Sequence, residues 1–353
     1  MSTKEIGLGV IGMGPMNMAS TAFLLRDVPD LRYRLVAVCS RRQEVIEALA
    51  KKEGIPFATT DYRELVARPD VDVVAIYSPD PLHAEHCIAA LEAGKHVVCT
   101  KPMVAGLEQA KAVVDAVRKS GKKFLVGQTM RFDRQFATLR KMVDDGDLGG
   151  MMAAEAYYIH DLRPVYDFTP WRMQMPQDFM YGGVTHPLDI LRCFLGDVEE
   201  VHCYASKGRL TPKYPLRNIF YLNLKFANGV IGQVKGLYDV VEPPLPMMQV
   251  ILYGDGGTAV AEFTDNMPGK LEIVFDKLPV KEPMRMDFEP ERDTSVYGHG
   301  ATVIRYMRHM QECLDKDLEP SPNVIDGARA VAVAAAAWES ADTGKAVNVF
   351  NDF

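Results

Sequence analysis

No stretch of the sequence offers the roughly 18 consecutive apolar residues that a membrane-spanning helix needs. The start, MSTKEIGLGVIG, reaches glycine before it could build the apolar core of a signal peptide. A cytoplasmic location without membrane contact is therefore the expectation. The six cysteines (Cys39, Cys87, Cys99, Cys193, Cys203, Cys313) are scattered and form no CxxC pair, as reduced thiols in a cytosolic protein would. Basic charge is in short supply too. Lys plus Arg number 40 against 47 Asp plus Glu, and the net charge of −7 argues against a nucleic-acid binder that works through a basic surface. Internal repeats and low-complexity tracts are missing. His83 and His86 are three apart on a helical segment, but no cysteine or carboxylate set completes a metal site around them, so no metal is expected. The 19 methionines are dispersed and read as packing.

What is present is 353 residues with 48 % hydrophobic and 25 % charged side chains, enough for about two globular domains. From Ile6 to about Gln128, short Val- and Ile-rich runs alternate with longer amphipathic ones. The runs Ile6 to Ile11, Leu35 to Cys39, Val71 to Ile76, His96 to Cys99 and Lys123 to Val126 read as strands buried on both faces. Met16 to Arg26, Arg42 to Glu53, Leu82 to Ala93 and Leu107 to Ser120 read as the connecting helices. Right-handed crossovers then give a doubly wound parallel sheet of the Rossmann type. After a helix from Phe132 to Asp144 the style changes. Val198 to Ser206, Asn218 to Phe226, Val230 to Tyr238, Met247 to Tyr253, Thr258 to Glu262 and Leu271 to Phe275 read as strands joined by Asn-Gly or Gly-rich turns. Helices are expected at His186 to Leu195, Ala301 to Leu314 and Val324 to Ser340. The fold class is α/β: a dinucleotide-binding domain over 1–128, and an α+β substrate and oligomerisation domain with a large, mostly antiparallel open sheet over 129–353.

The strongest chemical signal closes the first strand. In Gly9-Val10-Ile11-Gly12-Met13-Gly14-Pro15-Met16-Asn17, Gly12 makes the tight turn, Gly14 lets the backbone approach a pyrophosphate, and Pro15 and Met16 open a helix whose N-terminus favours that anion. A third glycine is absent. The second strand ends in Cys39-Ser40-Arg41-Arg42, where a site selective for NAD carries an acid for the ribose 2′-hydroxyl. A hydroxyl and two guanidinium groups (Ser40, Arg41, Arg42) suit a 2′-phosphate instead, so NADP is favoured and NAD stays open.

These residues, with Ser78-Pro79-Asp80-Pro81-Leu82-His83, Ala93-Gly94-Lys95-His96-Val97, Thr100-Lys101-Pro102, Trp171-Arg172 and Gly182-Gly183-Val184-Thr185-His186-Pro187-Leu188-Asp189, occur in an ordered set. The set resembles the glucose-fructose oxidoreductase, inositol dehydrogenase and rhizopine-catabolism (Gfo/Idh/MocA) family over nearly the whole chain. The resemblance implies a site in the cleft between a Rossmann domain and a C-terminal α/β domain whose sheet forms subunit interfaces, hence a homodimer or homotetramer. It also implies hydride exchange between nicotinamide and a secondary alcohol or ketone of a sugar, polyol or cyclitol. Lys101 would hydrogen-bond the reacting hydroxyl and His186 would share the acid-base work. Ser78, Pro79, His83, Lys101 and Gln128 would border the cofactor.

Elementary chemistry points the same way. Lys101 follows an apolar strand, where partial desolvation favours its neutral form, and its cation can stabilise a developing alkoxide. His186 precedes Pro187 at a helix start, where the helix dipole disfavours an imidazolium. Asp189, three residues on, is a candidate ligand for a substrate hydroxyl. Trp171 offers a face for sugar stacking, with Arg172, Tyr181 and His160 as further substrate contacts. Arg131 follows the last strand of the first domain and suits either the cleft or a domain-interface ion pair.

Two positions depart from the family pattern. Thr100 stands where the family has Glu before the lysine, and Gly182 stands where it has Asp four residues before the histidine. The second departure makes an alternative chemistry attractive, in which a retained NAD(H) transiently oxidises C3 of a sugar during glycoside cleavage or epimerisation. A nucleotide-binding regulator without catalysis is a third reading.

Overall fold

The structure is a computed structural model that describes residues 4–13, 25–169, 171–265, 267–276, 282–289 and 300–353; the side chains of Phe168, Trp171 and Gln174 lie outside that set. The expected first helix, Met16 to Arg26, falls mostly outside the described residues. The chain divides into two compact units, the first holding residues up to Thr129 together with 300–328, the second Met130 onward together with most of the C-terminus.

The first unit is built on strands β1 (Ile6–Ile11), β2 (Tyr33–Cys39), β3 (Phe57–Thr59), β4 (Val73–Ile76), β5 (His96–Thr100) and β6 (Phe124–Gly127). They form a fully parallel sheet in the order β3-β2-β1-β4-β5-β6. Strands in such a sheet are covered on both faces, and β1, β4 and β6 are buried at every position. That is why their sequences read as unbroken apolar runs. Helices Gln43–Glu53 and Leu107–Ser120 return the chain, each stopped by a glycine in the left-handed region (Gly54 φ 69°, Gly121 φ 63°), where other residues are strained. Strand β3 has only three residues, too few for any periodicity, and the strand reading passes over it.

Residues 300–328 cluster with this first unit, where the sequence reading assigns them to the C-terminal domain. The reason is specific bonding by helix Gly300–Lys316. The Tyr33 hydroxyl donates to the Met307 carbonyl at 2.9 Å, Tyr77 and Tyr306 share a hydrogen bond at 2.8 Å, and Arg308 grips both oxygens of Asp30.

The second unit is built on a nine-stranded sheet of β7 (Met151–Ile159), β8 (Val198–Ser206), β9 (Ile219–Phe226), β10 (Ile231–Leu237), β11 (Met248–Gly254), β12 (Gly257–Phe263), β13 (Gly269–Phe275), β14 (Met284–Phe288) and β15 (Val347–Asn348). The order is β14-β13-β12-β11-β7-β10-β9-β8-β15, antiparallel throughout except where β10 runs parallel to β7. Alternation shows which face is covered. On β9, Phe220, Leu222, Leu224 and Phe226 are buried while Tyr221, Asn223 and Lys225 are open. The helix Thr185–Leu195 lies on the covered face, packed on β7, β10 and β11, and is buried along almost its whole length. Strand β7 opens Met-Met-Ala-Ala-Glu, a poor strand sequence, and only its place at the centre of the sheet overrides that weak propensity.

Candidate functional site

In the first unit β1 and β4 are sheet neighbours with crossovers to opposite sides, and a crevice outside the carboxyl ends of such strands is where doubly wound sheets take ligands. Gly12 sits at that point with φ of 99°, its N–H bonded to the Cys39 carbonyl at 3.0 Å. A Cβ there would lie 2.4 Å from the Ser78 nitrogen and 2.6 Å from the Tyr77 carbonyl oxygen, so only glycine lets the β1 and β4 turns approach. Gly12 thus closes the tight turn that a dinucleotide-binding strand end requires. Gly14, Pro15 and Met16 lie outside the described residues.

The same edge gathers Ser78, Pro79, His83, Lys101 and Gln128. Ser78 follows β4 and its hydroxyl shares a 2.8 Å hydrogen bond with His86 Nδ1, a ring that burial drives down to about 4 and so keeps neutral. Lys101 follows β5 directly and is half-buried. Gly127 is the register partner of Thr100, which sets buried Gln128 beside the Lys101 turn. His83 departs from the cofactor-lining role: it is fully buried, with both ring nitrogens on backbone carbonyls of the Ser78 and Pro102 turns, so it can act on a dinucleotide only through the loops it holds. At the end of β2, the Ser40 N–H bonds the Thr59 carbonyl at 3.2 Å, leaving Ser40 half-exposed and Arg41 and Arg42 exposed.

In the second unit His186 stands in the first turn of Thr185–Leu195, its N–H on the Gly183 carbonyl at 3.1 Å and its side chain buried. Tyr158, near the end of β7, presents its ring edge-on to His186 (centroids 5.7 Å), stacks on His160 (5.9 Å) and meets Tyr238 edge-on (5.1 Å). Tyr158 is half-buried, and its phenol is pushed well above the usual range, first by burial and then by Asp265. His160 has Nδ1 3.7 Å from the Glu242 carboxylate, yet burial outweighs that attraction and lowers its pKa, which favours the neutral ring. Tyr181 is half-buried and is raised to about 12 by burial and the Asp178 carboxylate. Arg172 donates to Thr169 Oγ1 at 3.1 Å and to the Gln177 side-chain oxygen. The Trp171 side chain lies outside the described residues.

Asp189 does not serve as a free hydroxyl ligand. It is 1 % exposed, and Arg131 Nε and Nη2 donate to its two oxygens at 2.7 and 2.8 Å, so both acceptors are engaged in an internal fork. Arg131 is thus paired within the second unit and not in the expected domain-interface ion pair. At Gly182 the structure supplies what the sequence leaves blank. A Cβ there would lie 2.6 to 2.9 Å from the Gln177 side chain, so the neutral amide of Gln177 fills the space that a side chain at 182 would need. Tyr158 and Gln177 went unseen in sequence because no motif surrounds them; only the sheet and the loop before Phe179–Gly182 bring them to this cluster.

The sequence matches the Gfo/Idh/MocA oxidoreductase family with NAD-binding Rossmann fold over residues 6–128, and that family's C-terminal alpha/beta domain over residues 140–349. Levoglucosan dehydrogenase of Pseudarthrobacter phenanthrenivorans is 29 % identical over 281 residues, covering 76 % of this chain and 69 % of the relative. The scyllo-inositol 2-dehydrogenase (NAD(+)) of Bacillus subtilis is 28 % identical over 215 residues, 58 % of each. Among solved structures, levoglucosan dehydrogenase in complex with NADH superposes with a TM-score of 0.86 at 23 % identity, over 98 % of this chain and 100 % of that one. With both of its domains matched, the chain belongs to the Gfo/Idh/MocA oxidoreductase family.

Proposed function

We propose that the protein moves hydride between a nicotinamide dinucleotide and a secondary alcohol or ketone of a sugar, polyol or cyclitol. The observation that carries this is the strand edge of the first unit, where Gly12, Ser78 and Lys101 follow β1, β4 and β5. The kinship with sugar and cyclitol dehydrogenases supports the substrate class. A bound dinucleotide would supply the hydride donor or acceptor. Gly12 makes the tight turn beneath it, Gly14 gives it a close backbone approach, and Ser78, Pro79 and Gln128 border it. Lys101 Nζ holds the proton of the reacting hydroxyl, and its charged form stabilises alkoxide. His186, held against Tyr158, shares that acid-base work, while Arg172, Tyr181, His160 and Trp171 are assigned to substrate hydroxyls and ring faces. With no acid after β2 and Arg41 and Arg42 exposed, the ribose end suits a 2′-phosphate, and NADP is the favoured cofactor.

The outer face of the second sheet exposes Tyr204 and Tyr221, register partners on β8 and β9, and Ile231 on β10, opposite Lys225, which supports a homo-oligomer joined through that face. For the chemistry, Lys101→Ala is expected to lower kcat by about 10²–10⁴ while dinucleotide Kd stays within about threefold. Steady-state kinetics beside a binding titration measures both, and a Lys101→Ala enzyme with near-normal turnover removes the mechanism.

A further inference from the structure

Two of the loops at the first unit's strand edge are tied to one buried side chain. His83 is the first residue of helix His83–Glu92 and is fully buried. Its Nδ1 lies 2.8 Å from the Pro102 carbonyl oxygen and its Nε2 2.7 Å from the Ser78 carbonyl oxygen. A carbonyl oxygen only accepts, and a neutral imidazole carries a single N–H. A ring with one proton would turn a bare nitrogen lone pair towards one of these oxygens at hydrogen-bond distance. A ring with two protons satisfies both.

We propose that His83 is a standing imidazolium that clamps the Ser78 and Pro102 turns together and so fixes the placement of Lys101, the residue before Pro102. His83 is then a positioning residue, and this second half of the inference rests on the role proposed for Lys101. The groups facing the ring are Asp80 in the preceding turn, Cys99 on β5, and His86 one turn along the helix. Burial is the largest influence and opposes the charge; the Asp80 carboxylate and the Pro102 carbonyl favour it, while the Cys99 thiol, which burial holds protonated, brings no charge to the ring. His86, by contrast, has the Ser78 hydroxyl as partner, which can donate or accept and so makes no demand for a second ring proton. A cation at a helix start opposes the helix dipole. Its presence there is explained by the two carbonyls it joins.

The test is nuclear magnetic resonance of the full chain labelled with nitrogen-15 in its histidine rings, assigned with His83→Gln. The expected result is that both His83 ring nitrogens carry protons from neutral into mildly alkaline pH, while His86 shows one bare nitrogen. One bare nitrogen on His83 at neutral pH overturns the proposal. Should His83→Gln fail to fold, the wild-type spectrum still decides, because one ring among the eight histidines must stay doubly protonated at alkaline pH. For the positioning half, Gln can donate from only one nitrogen, so His83→Gln is expected to lower kcat about tenfold or more and to shift the pH–rate profile, with a smaller change in substrate KM. An unchanged kcat and profile overturn that half. A cationic His83 in a protein whose Lys101→Ala variant remains active would leave the clamp standing and reject the assignment of Lys101 instead.

Discussion

The first unit shapes its candidate site with backbone: a glycine at φ 99° packed within van der Waals reach of the next turn, and carbonyl oxygens gathered by one ring. The second unit shapes its own with side chains: a Tyr158 ring touching His160, His186 and Tyr238, an Arg131–Asp189 fork, and a Gln177 amide over Gly182. Backbone requirements tolerate few residue types, so they leave short, spaced signatures such as Gly-x-Gly after a strand. Side-chain clusters can be assembled from any distance along the chain. Arg131 and Asp189 are 58 residues apart, and nothing local marks them as partners.

The contrast breaks most visibly if Arg131 is removed. Arg131→Ala leaves the Asp189 carboxylate buried, with Arg192 Nη1 3.9 Å away, and a loss of about 3–5 kcal/mol in stability is expected. Thermal and denaturant unfolding read it directly. The Arg131→Ala, Asp189→Asn pair should recover part of the loss, since no uncompensated charge is then buried. In the first unit Gly12→Ala acts on backbone instead. A Cβ 2.4 Å from the Ser78 nitrogen forces the two turns apart, and a cost of about 1–3 kcal/mol is expected to appear mainly as a roughly tenfold to hundredfold weaker dinucleotide Kd in calorimetry. Full binding by Gly12→Ala would remove the Gly12 turn from the account. The smallest effect sharpens the cofactor reading. Arg41→Ala is expected to weaken NADPH about tenfold and NADH hardly at all, since an exposed guanidinium contributes through a phosphate contact or not at all. Equal losses reject the 2′-phosphate contact.

Much of the fold is legible from the sequence, and its gaps have physical causes. The buried parallel strands and the helices at Thr185–Leu195 and Val324–Thr343 stand out because each carries a sustained apolar pattern. Strand β3 is too short to show one, and β7 opens in residues that prefer helices. The affiliation of Gly300–Lys316 with the first unit depends on contacts such as Tyr306 with Tyr77, more than two hundred residues apart, which no local pattern encodes. At the site, the positions of Gly12, Ser78 and Lys101 follow from strand ends and are visible beforehand. Asp189 misleads because a buried carboxylate looks the same in sequence whether it faces a ligand or an internal arginine. The Gly182 vacancy could be noticed in sequence, but its filling by Gln177 could not.

The most direct measurement is to release and weigh any nucleotide from freshly purified protein, then titrate the stripped chain with NADH and NADPH while following nicotinamide absorbance with sugars and cyclitols. The account predicts an exchangeable site taking one dinucleotide per chain, with NADPH the tighter ligand, and an absorbance change with at least one polyol or its ketone. A chain that binds neither dinucleotide, or that turns substrate over with a cofactor it never exchanges and no net absorbance change, would contradict it.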